Sequence, residues 1–407
     1  MTTAGAVTVS VTAAAIVAFP VFVVPAPSGR LPVGTHALHL VDTQRQEIFD
    51  DSDRPRELMV QLWYPAQARQ GRRAPVIPDS PAVIGEMARG FGLPANALAY
   101  LPTIKSHSWI EAPLATSERP YPLLLLNHGY GSAGYFHTTQ AENLASHGYV
   151  VAAIDHTYSS LATRFPDGRV TTMRTDEERI GEYDYRSTVG EVWTKDIQFT
   201  LGRLAAMNDG TIPSMFTHAL DMDRVGVLGH SFGGAAAYDA MRDSRIRAGI
   251  DLDGTLYGFR GRPPTTKPFM FVYSAQAFDL YDKARRGFVY SDRELADLGI
   301  TRAEMERDLA NLTAEREHIR AVARAGGPVV YIEGTKHNNF MDQQLFSPLL
   351  RLFGLVGDID PYRSITIVND YLLAFFDEHL RGHKGALHTG PDPGHPEVRF
   401  ATSDFAQ

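Results

Sequence analysis

The chain has 407 residues, 44% hydrophobic and 21% charged, with a formal net charge of -8, a composition that suits a soluble globular protein with a sizeable core. No block of Lys and Arg gives the footprint of a nucleic-acid partner, and the absence of cysteine excludes disulfides, thiolate zinc sites, iron-sulfur clusters and a Cys nucleophile. No HExxH, GxxxxGK[ST] or EF-hand pattern occurs, so the expected chemistry uses neither a metal nor a cofactor.

Residues 1–29 form an apolar N-terminal segment and linker. Residues 4–27 carry no charge and Arg30 is the first basic residue. The run has the length of a membrane span, about 20 residues. However, Thr8, Ser10, Thr12 and Pro20 interrupt it, and it lacks the basic start of an export signal. It reads as an anchor, an atypical export signal or a packed extension, the first two preferred because residues 21–24 (VFVV) lead into the Pro-rich stretch 25–32. The expected location is extracytoplasmic, secreted or anchored, with the cytoplasm as the alternative.

Residues 57–64 (ELMVQLWY) predict a strand with Leu58, Val60 and Leu62 on one face and Met59, Gln61 and Trp63 on the other. Residues 65–119 read as irregular, with a helical stretch around 95–101. The apolar run 123–126, ending in Asn127-His128-Gly129, suits a strand buried on both faces of a parallel sheet. Strand and helix then alternate: strands over 149–154, 224–228, 246–252, 268–273 and 328–332, helices over 187–207 and 235–241, and a closing amphipathic helix over 365–380. The pattern predicts the α/β class, a mostly parallel doubly wound sheet with helices on both faces. No internal repeat is visible, so residues 30–407 read as a single domain with a helical insertion at about 275–325 before the last strand. In that insertion Met305, Leu309, Leu312 and Ile319 follow helical spacing, and it serves either as a lid or as a stabilising flap.

Gly229-His230-Ser231-Phe232-Gly233-Gly234 stands between an apolar strand and the small-residue run 235–237, the strand-turn-helix setting of a G-x-S-x-G nucleophile elbow. A serine there needs a base later in the chain, and His337 follows the strand 328–332. His218, His379, His383 and His388 are the competitors, each read as a generic exposed His. For the acid, Asp253, Asp251, Asp279 and Asp282 all lie near strand ends, and position alone does not separate them. An oxyanion site needs the N-H of the residue after the nucleophile, Phe232, and a second from the turn after the early strand, where Tyr130 in His128-Gly129-Tyr130-Gly131 fits.

Together with residues 144–153 (LASHGYVVAA), 249–253 (GIDLD) and 337–340 (HNNF), these motifs resemble the plasma-type (group II) platelet-activating factor acetylhydrolases and their bacterial relatives. The likeness runs from the 25–32 linker to the closing helix, apart from the insertion. It implies an α/β-hydrolase fold with Asp253 as the acid. The implied activity is calcium-independent hydrolysis of short or oxidised acyl esters on a phospholipid-like scaffold.

The expected function is therefore a serine ester hydrolase with Ser231, Asp253 and His337 as catalytic residues, and a small-molecule or lipid ester as substrate. A cutinase-like or general carboxylesterase is the alternative enzyme, and a non-catalytic binding protein on the same fold the alternative class. Residues 345–356 (LFSPLLRLFGLV) predict either a buried helix or an element touching lipid, with Arg351 toward headgroups and Leu350 and Phe353 toward acyl chains. The sequence leaves the oligomeric state open.

Overall fold

The computed structural model describes residues 21–385, 387 and 390–406. The choice between anchor, export signal and packed extension for the N-terminal run falls largely outside the described residues. Its last part packs on the protein: Phe22 and Val24 are buried, and the Phe22 ring stacks on Phe346 at 5.1 Å.

The amino-terminal half carries β1 (Val33–Gln46), β2 (Pro55–Pro65), β3 (Arg73–Pro75), α1 (Pro81–Gly90), β4 (Lys105–Ile110), β5 (Tyr121–Asn127), α2 (Thr138–Ser146) and β6 (Val150–Asp155). A hairpin of β7 (Ala162–Arg164) and β8 (Val170–Thr172) leads to α3 (Tyr183–Asn208), β9 (Leu220–His230), α4 (Phe232–Ala240), β10 (Ile246–Leu252) and β11 (Phe269–Ser274). Then follow α5 (Ala275–Arg286), α6 (Asp292–Leu298), α7 (Arg302–Arg324), β12 (Val329–Ile332), α8 (Leu349–Leu352), α9 (Pro361–Arg381), β13 (Val398–Phe400) and α10 (Thr402–Ala406).

Among the described residues, 11 strands form one sheet in the order β13-β12-β11-β10-β9-β5-β6-β2-β1-β4-β3. From β12 to β6 all pairings are parallel. The chain leaves β5 for β6 on one side and returns to β9 on the other. The carboxyl ends of β5 and β9 are thus the switch point, where open α/β sheets form a crevice.

The central strands follow from their composition. Every residue of β5 is buried, with Leu123 and Leu125 in one core against α3 and α4, and Leu124 and Leu126 in the other against α2 and α9. Full burial of each such side chain contributes about 1.5–3 kcal/mol. β2 divides as its alternation predicts, Leu58, Val60 and Leu62 facing the α3 side and Trp63 the α2 side.

Three expectations change. The helix in 65–119 is α1, not 95–101. Ser80 caps it by accepting the Val83 N-H, and Pro81 occupies the first turn, where its missing N-H costs nothing. β1, absent from the sequence reading, is half exposed and therefore lacks a strong apolar signature. Finally, α9 does not close the fold, because β13 pairs antiparallel with β12 and α10 follows it.

In the insertion, Leu312, Ile319 and Val322 of α7 join the core that holds Phe269 and Phe271 of β11. α7 thus takes the place of the crossover helix between β11 and β12. In 345–356, Leu350 is buried, contrary to its expected outward position, because the single turn of α8 directs it inward with Leu345 and Phe346. The outward apolar residues are Leu352, Phe353 and Leu355, and Arg351 pairs with Asp358 at 2.9 Å.

Candidate active site

Ser231 joins β9 to α4 with φ 56° and ψ -125°. A non-glycine residue held there costs of order 1–3 kcal/mol and persists only where its surroundings over-determine it. Here the Ser231 N-H donates to the Leu252 carbonyl at 2.8 Å, and the Ser231 carbonyl accepts from Gly234 N-H at 2.9 Å. The flanking glycines are required by close approach. A Cβ on Gly229 would meet the Gly233 carbonyl oxygen at 2.2 Å, and one on Gly233 would meet the His128 carbonyl oxygen at 2.3 Å.

Asp253 follows β10, also with a positive φ of 59°. Its N-H donates to the Val272 carbonyl at 2.9 Å. One carboxyl oxygen accepts the Ser274 N-H at 2.5 Å, and the other meets His337 Nδ1 at 2.8 Å. His337 opens a short turn after β12. The Asp253 carboxyl is buried while the His337 imidazole is half exposed.

His230, inside the elbow, supports this arrangement. Its Nε2 donates to the His337 carbonyl at 3.0 Å, and the two rings lie 4.5 Å apart. Burial, reinforced by the nearby His337, holds the His230 imidazole well below its usual pKa, so it stays neutral.

On the other side of Ser231 runs the turn after β5. Gly129 abuts Ser231, since a Cβ there would lie 3.2 Å from the Ser231 Cβ. Phe232 N-H is the first of α4 and has no intrahelical acceptor. Tyr130 N-H makes no backbone bond among the described residues, and the two rings lie 5.8 Å apart. The turn is held from behind. His128 Nε2 accepts the His156 backbone N-H at 3.1 Å, which leaves the proton on Nδ1 to donate to the Gly129 carbonyl at 2.6 Å. Burial, with His156 adding to it, keeps His128 neutral. The His156 ring stacks on Trp193 at 3.8 Å and its Nδ1 meets Asp196 at 3.0 Å. Asp196 also takes two bonds from Arg56, at 3.2 and 2.7 Å. Burial opposes ionisation of Asp196, but Arg56 and His156 overcome it and hold the carboxyl well below the usual range.

The Asp253 side is backed differently. Asp251, beneath the elbow, accepts the Gly254 N-H at 2.8 Å, and its other oxygen is buried without a partner. Burial pushes its pKa well above the carboxylate range. Glu315 of α7 accepts the Leu256 N-H at 2.6 Å and the Tyr281 hydroxyl, and burial raises it to about 7. Both carboxyls therefore hold the loop that follows Asp253.

The remaining candidates stand apart. Asp279 pairs with Lys283 at 2.8 Å, and Asp282 with Arg285 and Arg286 at 2.5 and 2.6 Å, all on α5. His218 lies in the turn just before β9, His379 on α9 and His383 just beyond it, while His388 is outside the described residues. Sequence reasoning missed His230, the Arg56-Asp196-His156 network and Glu315. Only Glu315 left a trace, a charge within the buried stripe Met305, Leu312, Ile319 and Val322.

Comparison with known proteins adds the following. The family model described as platelet-activating factor acetylhydrolase, isoform II, matches residues 16–191 and 206–390. A protein of Arthroderma benhamiae named "Probable 1-alkyl-2-acetylglycerophosphocholine esterase" is 27% identical over 414 residues, covering 93% of this chain and 94% of its own. The platelet-activating factor acetylhydrolase of Bos taurus is 26% identical over 293 residues, covering 66% of this chain and 59% of its own. Among solved structures, a ferulic acid esterase from Streptomyces cinnamoneus superimposes with a TM-score of 0.68 at 28% identity, covering 93% of this chain and 98% of that one.

Proposed function

We propose, from the premise that the chain belongs to the platelet-activating factor acetylhydrolase isoform II family and is a serine-dependent carboxylic ester hydrolase, that Ser231, His337 and Asp253 carry the reaction on short-acyl, phospholipid-like esters. His337 takes the Ser231 proton as Oγ attacks the ester carbonyl, and then returns it to the leaving alcohol. Water, activated by the same imidazole, hydrolyses the acyl-enzyme and restores the serine. Asp253 fixes the ring and stabilises the imidazolium, and the Tyr130 and Phe232 N-H groups receive the oxyanion. The observation that carries this reading is the 2.8 Å contact between Asp253 and His337 beside a serine held at positive φ. Residues 30–407 act as one catalytic domain in this reading.

The test is turnover of p-nitrophenyl acetate together with labelling by a fluorophosphonate. Ser231→Ala should lose labelling and several powers of ten in kcat. Equal turnover by the purified variant overturns the assignment, and labelling absent in wild type favours a binding protein. Asp253→Asn should lose far more activity than Asp279→Asn. The solved ferulic acid esterase favours a second reading, esters of aromatic acids. Higher kcat/KM on methyl ferulate than on a 2-acetyl phospholipid decides for it.

Contact with a lipid surface belongs to the same proposal. Leu352 and Phe353 are 76% and 69% exposed, and the Lys336 ammonium donates to the Gly354 carbonyl at 2.9 Å, tying this patch to the His337 loop. Among the described residues no helix is long and apolar enough to cross a membrane. Replacing Leu352 and Phe353 together by Ser should weaken liposome binding and leave p-nitrophenyl acetate turnover intact. An extracytoplasmic location is supported by the uncharged run 4–27 and is tested by fractionating cells that express the full chain.

A further inference from the structure

A cavity of about 320 Å³, separate from the Ser231 site, lies between the outer face of β1 and β2 and the segment that carries α1. Its walls are mostly apolar, with Met59, Trp63, Val76, Val83 and Ile110 among them. Small-molecule sites have this character, an apolar concavity with a few placed polar groups. Asp155, the last residue of β6, also lines it. One Asp155 oxygen accepts the Gly134 N-H at 2.9 Å, and the other has no partner among the described residues. No cationic side chain lies against this carboxyl, and burial raises its pKa to about 6, so it is ionised at neutral pH without compensation. Asp155 is half-buried, so its second oxygen is reached by whatever occupies the cavity. Tyr135 lines the same cavity, and its hydroxyl is buried without a partner among the described residues. On the rim stand Arg164 and the His36–Glu111 pair at 2.8 Å. Asp155 is not needed by the hydrolytic groups, and the mechanism above makes no use of it.

We propose that this cavity is a second ligand site, taking a small amphipathic amine whose ammonium pairs with Asp155 and whose apolar body lies against Met59, Trp63, Val76 and Val83. An ammonium supplies both the missing charge and the missing donor. A carboxylate ligand would repel Asp155, and a neutral alcohol supplies the donor without the charge. A hydrogen bond to a charged group is worth more than a neutral one, so the amine should bind roughly tenfold or more tightly than an alcohol of the same shape.

The test is calorimetric titration of the full chain at pH 8 with 2-phenylethylamine, 2-phenylethanol and 3-phenylpropanoate. The amine should bind most tightly and leave the KM for p-nitrophenyl acetate unchanged. Asp155→Asn keeps an acceptor for the Gly134 N-H, and should bring the amine down to the affinity of the alcohol. Ala74→Trp, at a half-exposed position of the lining, should abolish binding of both while turnover and Tm stay as in wild type. The proposal fails if the amine binds no more tightly than the alcohol, if either variant keeps the wild-type affinity, or if the amine competes with ester substrate. The last result puts the amine in the catalytic site. Hydrolysis by both variants is read separately, so failure here leaves the esterase assignment standing.

Discussion

The two flanks of Ser231 are built from opposite electrostatics. Behind the turn after β5 lies a buried ionised pair, Arg56 with Asp196, and the neutral imidazole of His128. Behind the acid loop lie Asp251 and Glu315, which burial keeps protonated above the ordinary carboxylate range. The two supports therefore respond to pH in opposite directions. Asp196 is depressed from 3.8, so its contribution is present above that value and is lost as pH falls through the folded pKa. The buried His128 is depressed from 6.5, and its contribution is likewise lost as pH falls below 6.5. Glu315 is raised from 4.5 to about 7, so its contribution is complete below 4.5 and is lost as pH rises to about 7. Ser231, Asp253 and His337, held between two such supports, are steadied by both only over a middle range of pH.

The largest effect should come from breaking the ionised flank. Asp196→Ala leaves the Arg56 guanidinium, 2% exposed, without its main counter-charge. Removing one partner of a buried pair costs about 3–5 kcal/mol, read as a lowered urea midpoint with unchanged slope. Asp196→Leu combined with Arg56→Met should recover only part of that loss, because Glu47, buried and paired with Arg56 at 2.6 Å, is then left without its counter-charge. A midpoint unchanged by Asp196→Ala contradicts the description of this flank.

On the acid flank the effect should depend on pH. Glu315→Gln keeps an acceptor for the Leu256 N-H and a group facing the Tyr281 hydroxyl, but cannot ionise. The shift from 4.5 to about 7 corresponds to roughly 3 kcal/mol. The stability difference between variant and wild type should therefore move in the variant's favour by that order between pH 4.5 and pH 8. A constant difference across that range contradicts a raised Glu315. Glu315→Ala, which loosens the loop after Asp253, should lower kcat for p-nitrophenyl acetate about tenfold with KM little changed. Gln should restore kcat, a rescue that a purely structural role does not require.

The same contrast explains what the sequence disclosed. The central strands were legible because burial on both faces demands unbroken apolar runs, as at 123–126 and 246–252. The elbow was legible because steric closeness demands Gly229 and Gly233 around Ser231. Residue spacing left four carboxyls open for the acid, and only the family resemblance singled out Asp253, which the structure brings to His337. The edge was obscure: β1 and β4 are partly exposed, so their composition is mixed, and α1 begins at a proline that also suits a loop. Least visible were the supports. Arg56 and Asp196 are 140 residues apart and meet only through the packing of β2 on β6 and of α3 beneath them. Leu350 and Leu352 look alike in the sequence, and only the direction of one helical turn puts the first inside and the second in solvent.

The smallest effect, and the sharpest probe of the acid flank, belongs to Tyr281. Its hydroxyl donates to Glu315 and its ring is buried beside Tyr273 at 4.9 Å, so Tyr281→Phe keeps the packing and removes the donor. Below about pH 5 Glu315 is neutral, and the lost hydrogen bond should cost about 1 kcal/mol. The hydroxyl also lowers the Glu315 pKa, which means that it bonds the ionised carboxyl more strongly than the neutral one. Above pH 7 the same substitution should therefore cost about 1.5–3 kcal/mol, the range for a bond to a charged group. The cost of Tyr281→Phe should thus grow with pH, whereas the cost of Asp196→Ala should shrink only toward strong acid. If urea midpoints give Tyr281→Phe a cost that is flat or falling from pH 5 to pH 8, Glu315 does not ionise in the folded protein over that range. The acid loop would then be held by a permanently neutral carboxyl, and the two flanks would no longer oppose each other near neutral pH.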